Sequence, residues 1–251
     1  MKRRAMTYVE LIIYVALAAT LALLSGSLFL LSRRNAENTN ANYFLTADTE
    51  SAAAWLRRDL QQCALATIQV YPAGQAGQPP GASWCSALNP EDVKQIDANE
   101  TGNPNWRNHV YYSLQPLKDN VGKLVRWSSP TAADALTTPT LAPLLPSAIV
   151  ASRSRSVHTR VLLPNQTTFG VGSDAQTDEH GGFRIRFVRR QGEDGEESLS
   201  DQNPATASLD ASGNQFASNT RLVEVELKFF TSTSTGKPSF YSLRFRVCPR
   251  Y

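Results

Sequence analysis

The 251-residue chain is poor in the side chains that do chemistry, with only three histidines and three cysteines. His109, His158 and His180 stand far apart, each beside turn or strand residues. No G-x-S-x-G elbow, H-E-x-x-H pair or glycine-rich phosphate loop occurs. The pattern therefore supports neither an enzyme nor a cofactor. Cys63, Cys85 and Cys248 lack the close C-x-x-C spacing of a zinc site. An excess of one charge is also missing: 25 Lys and Arg meet 22 Asp and Glu, and a net +3 is too little to argue for nucleic acid. The one basic cluster, Arg184, Arg186, Arg189 and Arg190, alternates along a strand and reads as a solvated face rather than a phosphate stripe. The acidic run Glu193-Asp194-Gly195-Glu196-Glu197 departs from the EF-hand spacing and reads as a solvated loop rather than a calcium site. No internal repeat is present.

What the chain does have lies at its start. Lys2-Arg3-Arg4 forms a basic head, Ala5 is small, and Glu10 opens the run Leu11–Leu31, 21 residues without a charge. At about 1.5 Å per residue this run crosses a hydrocarbon core of about 30 Å. It contains no proline and one glycine, Gly26, so a continuous helix is expected. The basic head predicts a cytoplasmic N-terminus with the rest outside, despite Arg33-Arg34 at the far end. A secretory signal has a shorter apolar core, of about 7–15 residues. An ordinary signal anchor leaves Glu10 unexplained, since an acid in a spanning segment costs roughly 2.5–3.5 kcal/mol and asks for a partner.

Ala5-Met6-Thr7-Tyr8-Val9-Glu10-Leu11-Ile12 resembles the start of type IV prepilins and pseudopilins. In that family a short basic leader ending in Gly or Ala is cut on the cytoplasmic side, the new first residue is methylated, and a Glu follows four residues on. Here Ala5 stands where Gly is usual and Met6 where Phe is usual. The detailed likeness covers Lys2 to about Thr67, with a weaker echo to the C-terminus. It implies cleavage after Ala5, methylation of Met6, and an assembly role for Glu10, whose carboxylate would be neutralised by the amine of an adjacent subunit where the dielectric is low. The first helical turn also favours a negative charge there. Trp55-Leu56-Arg57-Arg58-Asp59-Leu60-Gln61-Gln62 and the pair Tyr111-Tyr112-Ser113-Leu114 with Gly122-Lys123-Leu124-Val125-Arg126-Trp127 resemble J-type minor pseudopilins and W-type minor pilins in particular.

The expected architecture is α+β and type IV pilin-like, a long helix half in the membrane and half packed on an antiparallel sheet. Residues 1–5 read as leader, 6–34 as membrane and filament-core helix, and 35–251 as the head, which includes the amphipathic helix half to about residue 67. From Leu45 the positions Thr49, Ala52, Leu56, Leu60, Cys63 and Thr67 recur at helical spacing, with Asp48, Arg57, Arg58, Asp59 and Gln61 facing elsewhere. One helix from Met6 to about Ala66 is therefore expected. Pro72–Pro90 reads as a loop, His109–Leu114 and Lys123–Trp127 as a hairpin turning at Gln115–Gly122, and Ser128–Pro146 as irregular. Thr159–Leu163 and Gly182–Val188 read as strands, and Gln191–Ser218 as a long loop. Arg221–Phe230 and Phe240–Val247 form a closing hairpin whose buried set is Val223, Val225, Leu227 and Phe229.

Outside the cytoplasm a disulfide is permitted, in any of three pairings. Cys63–Cys85 is the first expectation, pinning the glycine- and proline-rich loop to the helix end for about 3 kcal/mol. Cys63–Cys248 follows closely, and free buried thiols are the third alternative.

Together these readings anticipate a minor pilin or pseudopilin, a structural subunit that initiates or caps a type IV pilus or type II secretion pseudopilus. Its expected partners are other minor and major pilins or pseudopilins, a prepilin peptidase and the bacterial inner membrane, with no nucleic acid. Two rivals are a tip adhesin or DNA-uptake minor pilin, and a single-span envelope protein unrelated to filaments.

Overall fold

The computed structural model describes residues 7–71, 79–88, 96, 98, 100–106, 108–118, 121–130, 138–142, 154–163, 166–167, 177–178, 181–191, 196–203, 220–232 and 238–251. A single α-helix, α1, runs from Tyr8 to Gln61, 54 residues. At 1.5 Å per residue it is about 80 Å long. None of its apolar window is buried against the rest of the molecule. Burial begins at Leu45 and continues through Thr49, Ala52, Ala53, Leu56, Asp59 and Leu60. That is the anticipated stripe, with one correction: Asp59 faces the core and is fully buried.

The helix also stops earlier than expected. After Gln61 the chain turns, and a 3₁₀ turn follows at Leu65–Thr67. The backbone groups that would have continued the helix are taken by other segments. Gln61 O accepts from the Arg250 N–H, Gln62 O from Ala87 and Cys85 O from the Ala64 N–H, while Leu65 donates to Tyr251 O. Carbonyls left open at a helix end are thus satisfied by tertiary neighbours.

The strands are β1 (Gln69–Tyr71), β2 (Gly81–Ser86), β3 (Asn108–Lys118), β4 (Val121–Pro130), β5 (Ser154–Leu162), β6 (Gln166–Thr167), β7 (Thr177–Asp178), β8 (Phe183–Gln191), β9 (Glu196–Ser200), β10 (Thr220–Ser232) and β11 (Pro238–Val247). Among the described residues they make two antiparallel sheets, one of nine strands and one of two, β6 with β7. The large sheet runs β1-β2-β3-β4-β5-β10-β8-β9, with β11 on β10. One edge of β10 carries β11 along Val223–Ser232; the other carries β8 along Thr220–Leu227 and meets β5 at Phe229. The protein is α+β.

Two stretches read as loops carry strands. β2 lies inside the proline- and glycine-rich stretch and is buried along its whole length. Gly81 permits this, because a Cβ there would fall on the backbone carbonyl of Tyr112 in β3. A residue type that signals a turn in isolation here allows two strands to approach closely. β9 falls within the polar stretch 191–218 and pairs Glu196–Ser200 with β8. The β3–β4 hairpin is longer than expected, with β3 running to Lys118 and β4 starting at Val121, while β5 begins five residues before the anticipated Thr159.

The inner face of the sheet closes on α1. Val223, Val225, Leu227 and Phe229 form its centre, all fully buried as their alternation predicts. Trp84 and Tyr112 stack at 5.3 Å between ring centroids, and Tyr112 meets Phe183 of β8 at 6.3 Å. β2–β3 and β8 therefore approach one another across the core. Asn203, just after β9, donates to the carbonyls of Leu65 and Ile68 at 2.8 and 2.9 Å, tying the two ends of the curled sheet together.

Candidate functional site

Thr7 is the N-cap of α1 and Glu10 its third residue. The Glu10 N–H donates to Thr7 Oγ1 at 3.4 Å, and the Thr7 N–H donates to Glu10 Oε2 at 2.9 Å. This reciprocal pair is a capping box, which satisfies two backbone donors that a helix start leaves open. Glu10 thus has a partner within its own chain. The signal for it, Thr-x-x-Glu before an apolar run, is present in the sequence at Thr7 and Glu10. Ala5 and Met6 lie outside the described residues.

Along the exposed span two side-chain hydroxyls are also satisfied internally. Thr20 donates to Leu17 O at 2.9 Å and Ser27 to Leu24 O at 2.8 Å, the bonding that lets such residues sit in hydrocarbon. Past the apolar run Arg33 pairs with Glu37 at 2.9 Å on the helix surface. The helix is long and apolar enough to cross a membrane.

The head is locked to the helix by a buried polar triad. Arg126 of β4 donates from Nε to Asp59 Oδ2 at 2.6 Å, and from Nη2 to Oδ1 at 3.4 Å. Tyr112 of β3 donates its hydroxyl to the same Oδ2 at 2.8 Å. Burial, reinforced by the Asp59 charge, pushes the Tyr112 phenol well above its usual range, so it stays protonated and donating. Trp55 lies 5.8 Å from the Arg126 guanidinium. The two short stretches singled out in sequence, around Asp59 and around Tyr112 and Arg126, are therefore in direct contact.

The cysteines are free thiols. Cys63 and Cys85 are both buried, yet the expected disulfide between them does not form. Cys63 pairs across the chain with Ser86, so Cys85, one position along the strand, faces the opposite way. Cys63 joins the main core, whereas Cys85 packs with Ala64, Ala87 and Trp106. Burial raises both thiols, Cys85 to about 11, so neither is a ready thiolate. Cys248 is exposed, with no disulfide to Cys63. His109 is buried beside Thr140, and burial lowers its pKa.

Of the arginines read as a solvated face, Arg184 and Arg186 belong to a charge lattice on the outer face of the sheet. Glu226 stands opposite Arg184 on one side and Arg244 on the other; Glu224 stands between Arg186 and Arg246. Contacts include Arg186–Glu224 at 2.6 Å, Arg244–Glu226 at 3.0 Å and Arg246–Glu224 at 3.2 Å, with Arg246–Glu197 at 2.7 Å. Arg184 is paired with Asp201 at 2.8 Å. Among the described residues no group of three metal-ligating side chains converges.

Compared with protein-family models, characterised proteins and solved structures, the chain matches none.

Proposed function

We propose that this protein is a minor pilin or pseudopilin, a structural subunit that starts or caps a type IV pilus or a type II secretion pseudopilus. The observation that carries the reading is one unbroken helix of 54 residues with two different halves. Its first half exposes an apolar surface that water will not tolerate, and its second half is the spine of an α+β head. A subunit stored in a bilayer and then drawn into a bundle of like helices needs such a helix. Its apolar half exchanges lipid for neighbouring helices, while the head stays folded. Glu10 at the lipid boundary is the assembly residue on this reading, held ready by Thr7 and completed by the amine of a neighbouring subunit once the leader is removed after Ala5. The head lies outside the inner membrane, and the partners are other pilins or pseudopilins and the prepilin peptidase.

Intact-mass measurement and N-terminal sequencing of the protein from cells with and without a prepilin peptidase test this reading. The expected product begins at a methylated Met6 only when the peptidase is present. Retention of residues 1–5 in peptidase-containing cells overturns it and leaves a membrane-tethered β-rich head.

A further inference from the structure

Among the described residues, one long strand of the large sheet is paired on one side alone. β11 pairs with β10 over ten consecutive positions without a register shift, and among the described residues it pairs with no other strand. An edge of this kind presents free N–H and C=O groups, and proteins that do not use such an edge blunt it with prolines, bulges or cover. Here Pro238 stands at the first paired position, and neither a proline nor a register shift interrupts Ser239–Val247.

The side chains at this edge say what would fit. On the outer face the charges alternate strand by strand, Arg184–Glu226–Arg244 in one row and Arg186–Glu224–Arg246 in the next. Both rows end on arginine at the open edge, where the Arg244 and Arg246 side chains bond inward to Glu226 and to Glu224 and Glu197 yet remain 55% and 43% exposed. On the inner face Tyr241 and Leu243 are only partly buried against the core. A strand that continued both patterns would bear carboxylates at alternate positions and apolar residues between them.

We propose that the β11 edge is a docking site for an extended segment of a partner protein, with acidic residues at every second position opposite Arg244 and Arg246. A second copy of this chain is disfavoured in the register centred on Phe245, where two antiparallel β11 edges place Arg244 of each against Arg246 of the other. Like charges directly opposite destabilise a strand pair, while opposite charges support it. The site thus selects a different polypeptide over self-association, by strand addition. It stands apart from the filament reading and survives that reading's failure.

The test uses the full chain in detergent micelles. The probes are a short peptide alternating valine with glutamate and its valine–lysine counterpart, followed by fluorescence anisotropy and amide exchange. The glutamate peptide is expected to bind about tenfold more tightly than the lysine peptide, the sum of two cross-strand pairs switched from repulsive to attractive. It should also slow exchange in Tyr241–Val247, and added salt should shrink the preference. In the Arg244→Gln/Arg246→Gln variant the preference should fall to about twofold or less; should that variant not fold, the salt series on the unaltered chain decides. Equal affinity for the two peptides, no binding, protection elsewhere, or a homodimer cross-linked through β11 each overturns the proposal.

Discussion

Asp59 accepts a hydrogen bond from Arg126 at 2.6 Å across 67 positions of the chain, and neither side chain is more than 6% exposed. A carboxylate taken out of water at this depth is costly unless its partners are in place. Asp59 has two, Arg126 and Tyr112, and both come from the β3–β4 hairpin.

The first prediction follows from that dependence. Asp59→Ala leaves a buried guanidinium alone and should cost about 3–5 kcal/mol, read as a lower urea midpoint for the head. Asp59→Leu combined with Arg126→Met removes both charges and should recover most of the loss. A double variant as unstable as Asp59→Ala would mean that the pair is not the cause.

Two glycines should respond differently to alanine. At Gly81 the new methyl meets the Tyr112 backbone, which cannot yield without parting β2 from β3. At Gly122 it meets the Cδ2 end of Leu163 at 2.5 Å, a side chain that can turn away. Gly81→Ala should therefore lower the melting temperature well beyond Gly122→Ala, and the reverse order would contradict the β2–β3 register.

The thiols separate three alternatives. In the native chain maleimide should label one cysteine quickly, Cys248, and should reach Cys63 and Cys85 only after unfolding. A mass two units lower, with only one thiol labelled after unfolding, would restore the disulfide.

Acid should loosen the outer face of the sheet. Burial opposes ionisation of Glu226, but the hydrogen bond from Arg244 and the charges of Lys228, Arg244 and Arg186 outweigh it and hold the carboxyl below its ordinary value. With its folded pKa depressed, Glu226 contributes stability above the unfolded value of about 4.3, and that stability is lost as pH falls through the folded value. Urea midpoints taken between pH 6 and 3 should drop, and Glu226→Gln should flatten part of that slope.

Glu10→Ala should leave membrane insertion unchanged, since removing a charge favours the bilayer, while recruitment into a filament is lost. Thr7→Ala tests the capping box separately: it should cost about 1 kcal/mol locally and speed amide exchange in the first turn without blocking recruitment. Normal co-assembly of the Glu10 variant would remove this residue from the assembly role.

Periodicity by itself determined the long helix, its apolar first half, the stripe from Leu45 to Leu60 and the buried set of β10, because repeat lengths of 3.6 and 2 record which side of an element meets water. Tertiary structure alone decided what depends on partners distant in sequence. Asp59 reads as a surface acid until Arg126 arrives to neutralise it and Tyr112 to donate a hydrogen bond. Gly81 reads as a turn until the Tyr112 backbone comes close enough to require it. Cys63 and Cys85 read as a pair until strand alternation turns them to opposite faces. The helix end moved for the same reason, since Gln61 and Gln62 found their hydrogen bonds in Arg250 and Ala87 rather than in the next turn. Local preferences amount to about 1 kcal/mol per residue or less, and a buried ion pair or a shared backbone ladder outweighs them.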